Sequence, residues 1–201
     1  MVLYARRERF SGVSVVVGRI FGRVPLSPNQ WTLLSLLSAS LAALLVGSQN
    51  FLLGAFVLLF SSFLDFVDGS VARVTSRVSR KGAYIDTISD RYAEFLLVLG
   101  IFYVSPALPP VFLLPAGFWI LVYLFGALMT TYSKAAAKEK ELVAGELKGG
   151  LLERGERLAL LFIGLLLASY RPVFLSWAVA FLAVLTNISA AQRIGKALRM
   201  P

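Results

Sequence analysis

The sequence contains neither cysteine nor histidine, and only 15% of its 201 residues are charged. Without cysteine the chain has no disulfide, no thiolate nucleophile and no thiolate metal ligand. Without histidine it lacks the imidazole group that most often serves as a general base near neutral pH. Any chemistry must therefore depend on carboxylates, hydroxyls, lysine and arginine.

Charge is absent over long stretches, and the sequence from Val24 to Leu64 contains none. Soluble domains carry about 25% charged residues because their surfaces face water. Here 58% of the residues are hydrophobic and the mean hydropathy is +0.77, which excludes a disordered chain or a coiled coil and indicates a bilayer protein. Membrane topology and anionic lipid then explain the net charge of +9, and no nucleic-acid partner is expected.

The uncharged stretches predict six membrane spans, since one spanning helix needs about 20 mostly apolar residues. Val24–Leu64 is long enough for two spans joined by a turn at 47–50. Phe95–Ser133, which prolines interrupt, is long enough for two more. Leu158–Tyr170 and Val173–Gln192 predict a third hairpin, in which the first span is short.

A different pattern precedes the first span. Phe10–Val24 has arginines at i, i+4 spacing beside valine and phenylalanine, which is typical of an amphipathic helix on a membrane surface. We therefore expect residues 1–24 to form an interfacial helix and residues 25–201 to form a six-helix bundle. The predicted fold class is an all-α integral membrane protein, with residues 1–201 in a single membrane-embedded domain.

The basic residues indicate how the chain is oriented. Every lysine and arginine except Arg171 falls in the terminal segments or in the loops that follow the second and fourth predicted spans. Cytoplasmic loops of membrane proteins carry an excess of lysine and arginine. The distribution predicts a multi-pass protein of the cell membrane whose termini and two long loops are cytoplasmic.

Four of the eleven acidic residues lie where the second and third predicted spans reach the membrane boundary: Asp65, Asp68, Asp86 and Asp90. The spacing is i, i+3 in the first pair and i, i+4 in the second, so each pair shares one helix face. If the intervening loop reverses the chain, the two faces meet. Four carboxylates at one place require a cation such as Mg²⁺, Mn²⁺ or Ca²⁺, and they suffice for a two-metal site that holds a phosphoryl group.

The same acids permit two other interpretations. One is a solvated loop with surface salt bridges, but this does not explain why the acids stand at i+3 and i+4 positions beside apolar segments. The other is a cation transporter or channel whose acids form the ion path, and the charges alone leave this interpretation open. Gly69, where a ligand can approach the backbone, and Arg73, which can pair with a phosphate, favour phosphoryl chemistry.

Together these residues form the string Asp-x2-Asp-Gly-x2-Ala-Arg-x8-Gly-x3-Asp-x3-Asp, which resembles the complete signature of the CDP-alcohol phosphotransferases. Its eight positions are Asp65, Asp68, Gly69, Ala72, Arg73, Gly82, Asp86 and Asp90. The resemblance implies an enzyme that transfers a phosphoryl-linked alcohol from a CDP-alcohol to a second alcohol and releases CMP. A hydrophobic scaffold suits a CDP-lipid as the donor.

The resemblance also implies a role for each position. The four aspartates would bind two Mg²⁺ or Mn²⁺ ions, with Asp65 and Asp86 as bridging ligands, and Asp90 would also be the general base. The nucleotide and its pyrophosphate would contact Gly69, Ala72, Arg73, Ser79 and Gly82. A second, shorter patch resembles the family's segment near the cytidine: Pro28, Asn29, Gln30, Trp31 and Thr32. Taken alone, this patch is also a plain helix start with Asn29 as its cap.

Three predicted helices each bring a cation to the cytoplasmic boundary, which suits an anionic, phosphorylated acceptor. These segments resemble the phosphatidylinositol-phosphate synthase branch and its archaeal counterpart, the archaetidylinositol-phosphate synthases. The residues that would bind inositol phosphate are Thr131, Lys134, Arg154 or Arg157, and Arg193. The chain departs from that branch at Ala136, where an arginine is common, and glycerol 3-phosphate is the alternative acceptor. The resemblance further implies a homodimer.

Overall fold

The computed structural model describes residues 7–143 and 149–199. Within these residues it has seven α-helices, a 3-10 turn at Ser105–Ala107 and no strand beyond a single bridge between Val111 and Leu114. The helices are α1 Arg7–Phe21, α2 Pro28–Gly47, α3 Phe51–Val74, α4 Arg80–Val104, α5 Ala116–Glu139, α6 Arg154–Ala168 and α7 Val173–Ala197. The expected all-α class is confirmed.

Four of the described helices, α2, α3, α5 and α7, are long and apolar enough to cross a membrane. They expose large apolar side chains such as Leu44, Leu121 and Phe181, as expected of a surface that faces lipid. Of the two other predicted spans, α4 carries charged residues along its first half and α6 has 15 residues. The chain is thus a membrane-embedded helical protein, and the count of six spans stays a prediction.

The helices begin and end where local chemistry favours it. Ser27 Oγ accepts a hydrogen bond from the N–H of Gln30 at 3.4 Å, and Gln30 Oε1 accepts one from the N–H of Ser27 at 2.7 Å. This capping box makes Ser27 the cap of α2, so the cap role considered for Asn29 is wrong. The predicted turn at 47–50 is confirmed, and Gln49 adopts a φ of 63° there.

The N-terminal helix α1 is present but ends at Phe21, before the predicted end at Val24. Pro25 disfavours the helical conformation at Val24, which favours a helix end before the proline. Val13, Val16 and Ile20 are all more than half exposed, an apolar face that a membrane surface could cover. Residues 1–6 of the predicted interfacial helix lie outside the described residues.

Among the described residues, contacts define two compact units, one that ends at Ile101 and one that begins at Phe102. In the first unit small residues set the helix contacts. Gly54 of α3 lies against α2, and Gly18 of α1 lies against the backbone of Ser70 on α3. Such residues let helix backbones approach closely where a larger side chain would separate them.

An apolar cluster joins α1, α2 and α3 within the first unit. Its buried members are Trp31, Leu64, Val67 and Val71, with Val17, Phe21 and Leu26 packed against them. The ring of Phe21 lies edge to face against those of Trp31 and Phe63, with centroids 5.6 Å apart in both pairs. This cluster fixes the start of α2 against the last turns of α3, next to the acidic signature.

In the second unit a polar contact holds α5 against α7. Asn187 Nδ2 donates to the carbonyl oxygen of Val122 on α5 at 2.9 Å and to that of Ala183 on α7 at 2.8 Å. Gly126 makes room for this side chain, since a Cβ there would overlap Asn187 and Thr186. The two helices are therefore joined by a hydrogen bond inside an apolar segment.

Candidate active site

Three of the four predicted metal ligands come together where α3 ends and α4 begins. One carboxylate oxygen from each of Asp65, Asp68 and Asp86 lies within 4.8 Å of the other two. Between α3 and α4 the chain turns at Ser76, which has a φ of 54°. The predicted meeting of the two helix faces is confirmed for these three side chains, which we call the Asp group.

The Asp group fits a hard divalent cation. It offers only carboxylate oxygens, the ligands that Mg²⁺ and Mn²⁺ prefer. Asp68 is 4% exposed, and Asp65 and Asp86 are half-buried, so water screens their mutual repulsion only in part. A cation bound between them would remove that repulsion.

Thr32 contacts the Asp group directly. Its Oγ1 donates to Oδ2 of Asp68 at 2.6 Å, and both side chains are buried. The hydroxyl also lies 3.2 Å from the carbonyl oxygen of Pro28, a longer contact within the first turn of α2. The hydrogen bond fixes one oxygen of Asp68, as groups behind metal ligands commonly do.

Asp90, the fourth predicted ligand, lies one turn beyond Asp86 on α4 and is not part of the Asp group. Its Oδ2 lies 4.0 Å from Nη2 of Arg91. Nη1 of Arg91 donates to Oε2 of Glu94 at 2.9 Å, and Glu94 is 3% exposed. Asp90 is thus next to a partly buried ion pair, and its roles as ligand and base stay predictions.

The first turns of α2 and α4 approach each other. A Cβ atom on Gly82 would stand 3.6 Å from Oδ1 of Asn29 and 3.0 Å from Oγ of Ser79. Ser79 Oγ accepts from the N–H of Gly82 at 3.0 Å and so caps α4. Because helix N-termini carry partial positive charge, these two starts together favour an anion.

Gln30 and Trp31 lie on another side of α2. Trp31 packs against α1 and α3 in the apolar cluster, and the Gln30 side chain caps its own helix. Gln30 also lines a cavity of about 440 Å³ beside the 22–27 linker and the end of α3. None of the eight signature residues lines this cavity. Asn29 and Thr32 face the signature from the start of α2, whereas Gln30 and Trp31 lie on another side of the helix. Their predicted contacts with the nucleotide stay predictions.

The space beside Gly69 is occupied by Arg73. A Cβ on Gly69 would stand 3.3 Å from Nη1 of that arginine. The guanidinium also donates to Oγ of Ser14 on α1, from Nη2 at 2.7 Å and from Nε at 3.3 Å. Ala72, which lies between Gly69 and Arg73 in the sequence, is partly exposed. The signature arginine is therefore held at the last turn of α3, next to the glycine.

The cations predicted to bind the acceptor belong to the second unit, and two of them are buried: Arg157 is 1% exposed and Arg193 is 5% exposed. Nη1 of Arg193 donates to the carbonyl oxygen of Thr130 at 2.6 Å, and Nε donates to that of Gly149 at 2.7 Å. Arg193 thereby connects α7 to α5 and to the segment before α6. The other candidates are partly exposed: Thr131, Lys134 and Arg154.

Comparison with known proteins identifies the signature. A model of the CDP-alcohol phosphatidyltransferase family matches residues 25–188, which include all eight signature positions. The chain belongs to this family. The resemblance found in the sequence is confirmed, and the protein is a transferase of phospholipid synthesis.

Individual relatives of the transferase agree with this assignment. The archaetidylinositol phosphate synthase of Pyrococcus horikoshii is 31% identical over 182 residues, which cover 90% of this chain and 88% of that protein. The phosphatidylinositol phosphate synthase of Mycobacterium tuberculosis, solved with manganese and citrate, matches with a TM-score of 0.81 and 26% identity over 94% of this chain and 90% of that one. The same enzyme with CDP-DAG bound gives the same TM-score and identity and covers 94% and 95%.

Three contacts in the transferase were not predicted from the sequence: Arg91 with Glu94, Thr32 with Asp68, and Ser14 with Arg73. The signal for Glu94 was available, because Asp86, Asp90 and Glu94 continue one row at i+4 spacing. No local signal joined Thr32 to Asp68 or Ser14 to Arg73, since these pairs are distant in sequence. Ser14 also lies outside the segment that the family model matches.

Proposed function

We propose that this transferase moves the phosphatidyl or archaetidyl group of a CDP-lipid to inositol phosphate and releases CMP. The observation that carries the proposal is the Asp group, three signature carboxylates with oxygens within 4.8 Å of one another. The similarity to an archaetidylinositol phosphate synthase over 90% of the chain supports the acceptor. The match to a structure with CDP-DAG bound supports the donor.

Asp65, Asp68, Asp86 and Asp90 are the proposed ligands of two Mg²⁺ or Mn²⁺ ions, with Asp65 and Asp86 shared between the ions. Bound ions would polarise the β-phosphate and stabilise the departing CMP. The 2.6 Å hydrogen bond from Thr32 holds one oxygen of Asp68 in place, so that this ligand is oriented before a metal binds. The relative solved with manganese supports the choice of metal.

The nucleotide and pyrophosphate are proposed to lie against the starts of α2 and α4 and the last turns of α3. The two helix N-termini and the guanidinium of Arg73 supply positive charge there. Gly69 and Gly82 leave the backbone accessible to the ligand. The full proposed set is Pro28, Asn29, Gln30, Trp31, Thr32, Gly69, Ala72, Arg73, Ser79 and Gly82.

Asp90 is the proposed general base. Its carboxylate takes the proton of the acceptor hydroxyl while that oxygen forms a bond to the β-phosphorus of the donor. The bond from the β-phosphorus to the bridging oxygen breaks, and CMP leaves with the electron pair. The half-buried carboxylate of Asp90 lies beside Arg91, and the hydrogen bond from Arg91 to Glu94 fixes the position of that arginine. The charge next to the proposed base is therefore held in one place.

The acceptor phosphate is proposed to bind the cations of the second unit: Thr131 as a hydroxyl neighbour, with Lys134, Arg154 or Arg157, and Arg193. Arg193 is held by two carbonyl groups, so its guanidinium is fixed before the acceptor arrives. A planar guanidinium binds phosphate in a bidentate manner. A buried arginine excludes competing water, which strengthens its interaction with an anion.

The proposed membrane arrangement has six spans in one domain over residues 1–201, with α1 on the cytoplasmic surface and both termini and the site cytoplasmic. The exposed apolar face of α1 and the placement of all basic residues but Arg171 support it. A homodimer is proposed from the family resemblance.

The orientation can be tested with single cysteine variants, because the chain has no cysteine of its own. In intact cells an impermeant thiol reagent should label Gln49→Cys and not Lys138→Cys. Labelling of Lys138→Cys alone would show that the orientation is the opposite one.

The reaction is tested with the purified protein in detergent. We expect CMP release from a CDP-lipid only when inositol phosphate and Mg²⁺ or Mn²⁺ are both present. Release with glycerol 3-phosphate and not with inositol phosphate would overturn the acceptor. Asp90→Asn should abolish turnover while leaving the fold and much of the CDP binding intact, because a base is not needed to bind the donor. Cation flux into proteoliposomes without CMP formation would favour the transporter interpretation instead.

A further inference from the structure

α1 is fixed to α3 where their backbones come close. A Cβ atom on Gly18 would overlap the carbonyl oxygen of Ser70 and the side chain of Val74, so a glycine is needed for this contact. At the end of α1, Phe21 packs edge to face against Trp31. The helix is therefore held at two points, and its remaining polar contacts have defined positions.

Ser14, one turn before Gly18, belongs to an ordered row of hydrogen bonds. Ser70 Oγ donates to the carbonyl oxygen of Phe66 at 2.8 Å, which uses its only proton. It therefore accepts from Ser14 Oγ, 3.0 Å away. With its own proton used, Ser14 accepts from Arg73, and the row ends on the guanidinium as donor.

These hydrogen bonds restrain Arg73, whose long side chain is otherwise exposed. Ser14 is 8% exposed and Ser70 is fully buried, whereas Arg73 lies at the surface. An exposed arginine samples many rotamers and loses that entropy when a ligand fixes it. Among the described residues no carboxylate forms an ion pair with Arg73, so Ser14 restrains the side chain and leaves its charge for an anion.

We infer that Ser14 is a positioning residue, which holds Arg73 beside Gly69 for the phosphates of the donor nucleotide. The inference rests on the proposed function, in which Arg73 binds the donor. It assigns to α1, outside the matched residues 25–188, a part in donor binding besides any contact with the membrane. Ser14 acts through Arg73 and has no direct contact with the reacting atoms.

Calorimetric binding of CDP, paired with steady-state kinetics, tests the inference. Ser14→Ala should weaken CDP binding and raise the KM for CDP-lipid about tenfold, since the ligand must then order the Arg73 side chain without help from that hydrogen bond. The kcat at saturating donor should stay near that of the wild type. Ser14→Thr, which keeps the hydroxyl, should restore the affinity. If Ser14→Ala does not fold, Ser14→Cys, of similar size but a weaker acceptor, provides the same comparison.

Two controls separate positioning from a structural role. Gly12→Ala changes the same helix where a Cβ meets nothing within 4 Å, and it should bind CDP like the wild type. In an Arg73→Ala background, Ser14→Ala should have no further effect on CDP affinity. An equal effect in that background, or a lower melting temperature with unchanged affinity and KM, would overturn the inference. A wild type that binds CDP but releases no CMP with inositol phosphate would overturn the proposed function alone.

Discussion

The two units of the chain hold their polar groups in different ways. In the first, side chains contact one another: Thr32 donates to Asp68, which lies among the three carboxylates of the Asp group. In the second, Arg193 donates to the backbone carbonyl groups of Thr130 and Gly149. A cluster of side chains can accept a metal without disturbing the backbone, whereas a side chain that satisfies buried carbonyl groups is also part of the fold.

This difference has a measurable consequence. Isosteric changes in the first unit should remove activity while leaving stability intact or raising it. Changes to the buried arginines of the second unit should lower activity and stability together, because removing such a donor leaves buried carbonyl groups unsatisfied. The following variants test the contrast, each with a matched control.

The largest effect is expected for Asp68→Asn. Loss of one carboxylate should lower kcat for CMP release about a thousandfold, because the charge stabilisation that metal ions supply is worth several kcal/mol. Without metal, the free energy of unfolding should stay the same or rise, since one of three mutually repelling charges is gone and the amide oxygen of the new side chain can still accept from Thr32. Unfolding and kinetic measurements on the same preparation check both. Glu139→Gln, a change at an exposed carboxylate beside Lys140, should alter neither; a stability loss in Asp68→Asn alone would contradict the contrast.

Arg193→Lys should affect both properties. One ammonium group cannot reproduce the bonds from Nη1 and Nε, so the free energy of unfolding should fall by about 2–3 kcal/mol. The KM for inositol phosphate should rise about tenfold or more, because lysine lacks the planar fork that binds phosphate. Chemical unfolding and acceptor titration measure these changes. Arg199→Lys, at an exposed position in the same terminal segment, is the control, and a raised KM without a loss of stability would show that the carbonyl contacts matter little.

For Thr32→Val we expect an effect on metal activation. Loss of the hydroxyl that orients Asp68 should weaken metal activation by about 10–100-fold, whereas Thr32→Ser should stay close to the wild type. The matched change in the second unit is Ser189→Ala, because Ser189 Oγ accepts from the backbone N–H of Leu152 at 2.9 Å. It should lower stability by about 1 kcal/mol and leave the metal dependence unchanged. Titration of activity with Mn²⁺ distinguishes the two variants, and equal metal dependence in both would remove the role given to Thr32.

Much of the catalytic signature could be predicted from spacing. Asp65 and Asp68 follow an apolar run at i, i+3, and Asp86 comes after a loop long enough to reverse the chain, so their meeting followed from helix geometry. The turn at 47–50 was similarly local. The cap of α2 was placed on the wrong residue, because Ser27 and Asn29 are both good caps and only the reciprocal bonds with Gln30 decide between them.

Contacts between distant positions could not be predicted in this way. Thr32 was expected to contact the nucleotide, and its bond to Asp68 joins residues on two helices. Arg193 was expected to face a ligand, and two of its donors hold backbone carbonyl groups. In both cases the residue type suits either role, and the choice depends on which groups the packing brings within about 3 Å.

By itself the sequence determined that this is a helical membrane protein with a metal-binding phosphotransferase signature. Scarce charge, long apolar runs and aspartates at helical spacing act through local chemistry, and the eight signature positions resemble those of a known family, so both could be read without coordinates. Only the tertiary structure decided that Asp90 stands outside the group of Asp65, Asp68 and Asp86, that Thr32 orients Asp68 and that Ser14 restrains Arg73. The physical reason is the distance in sequence over which each feature is set. The face of a helix follows from residues that are neighbours in the sequence. A hydrogen bond between helices requires their backbones to come close, which here depends on Gly18 and on the packing around Trp31.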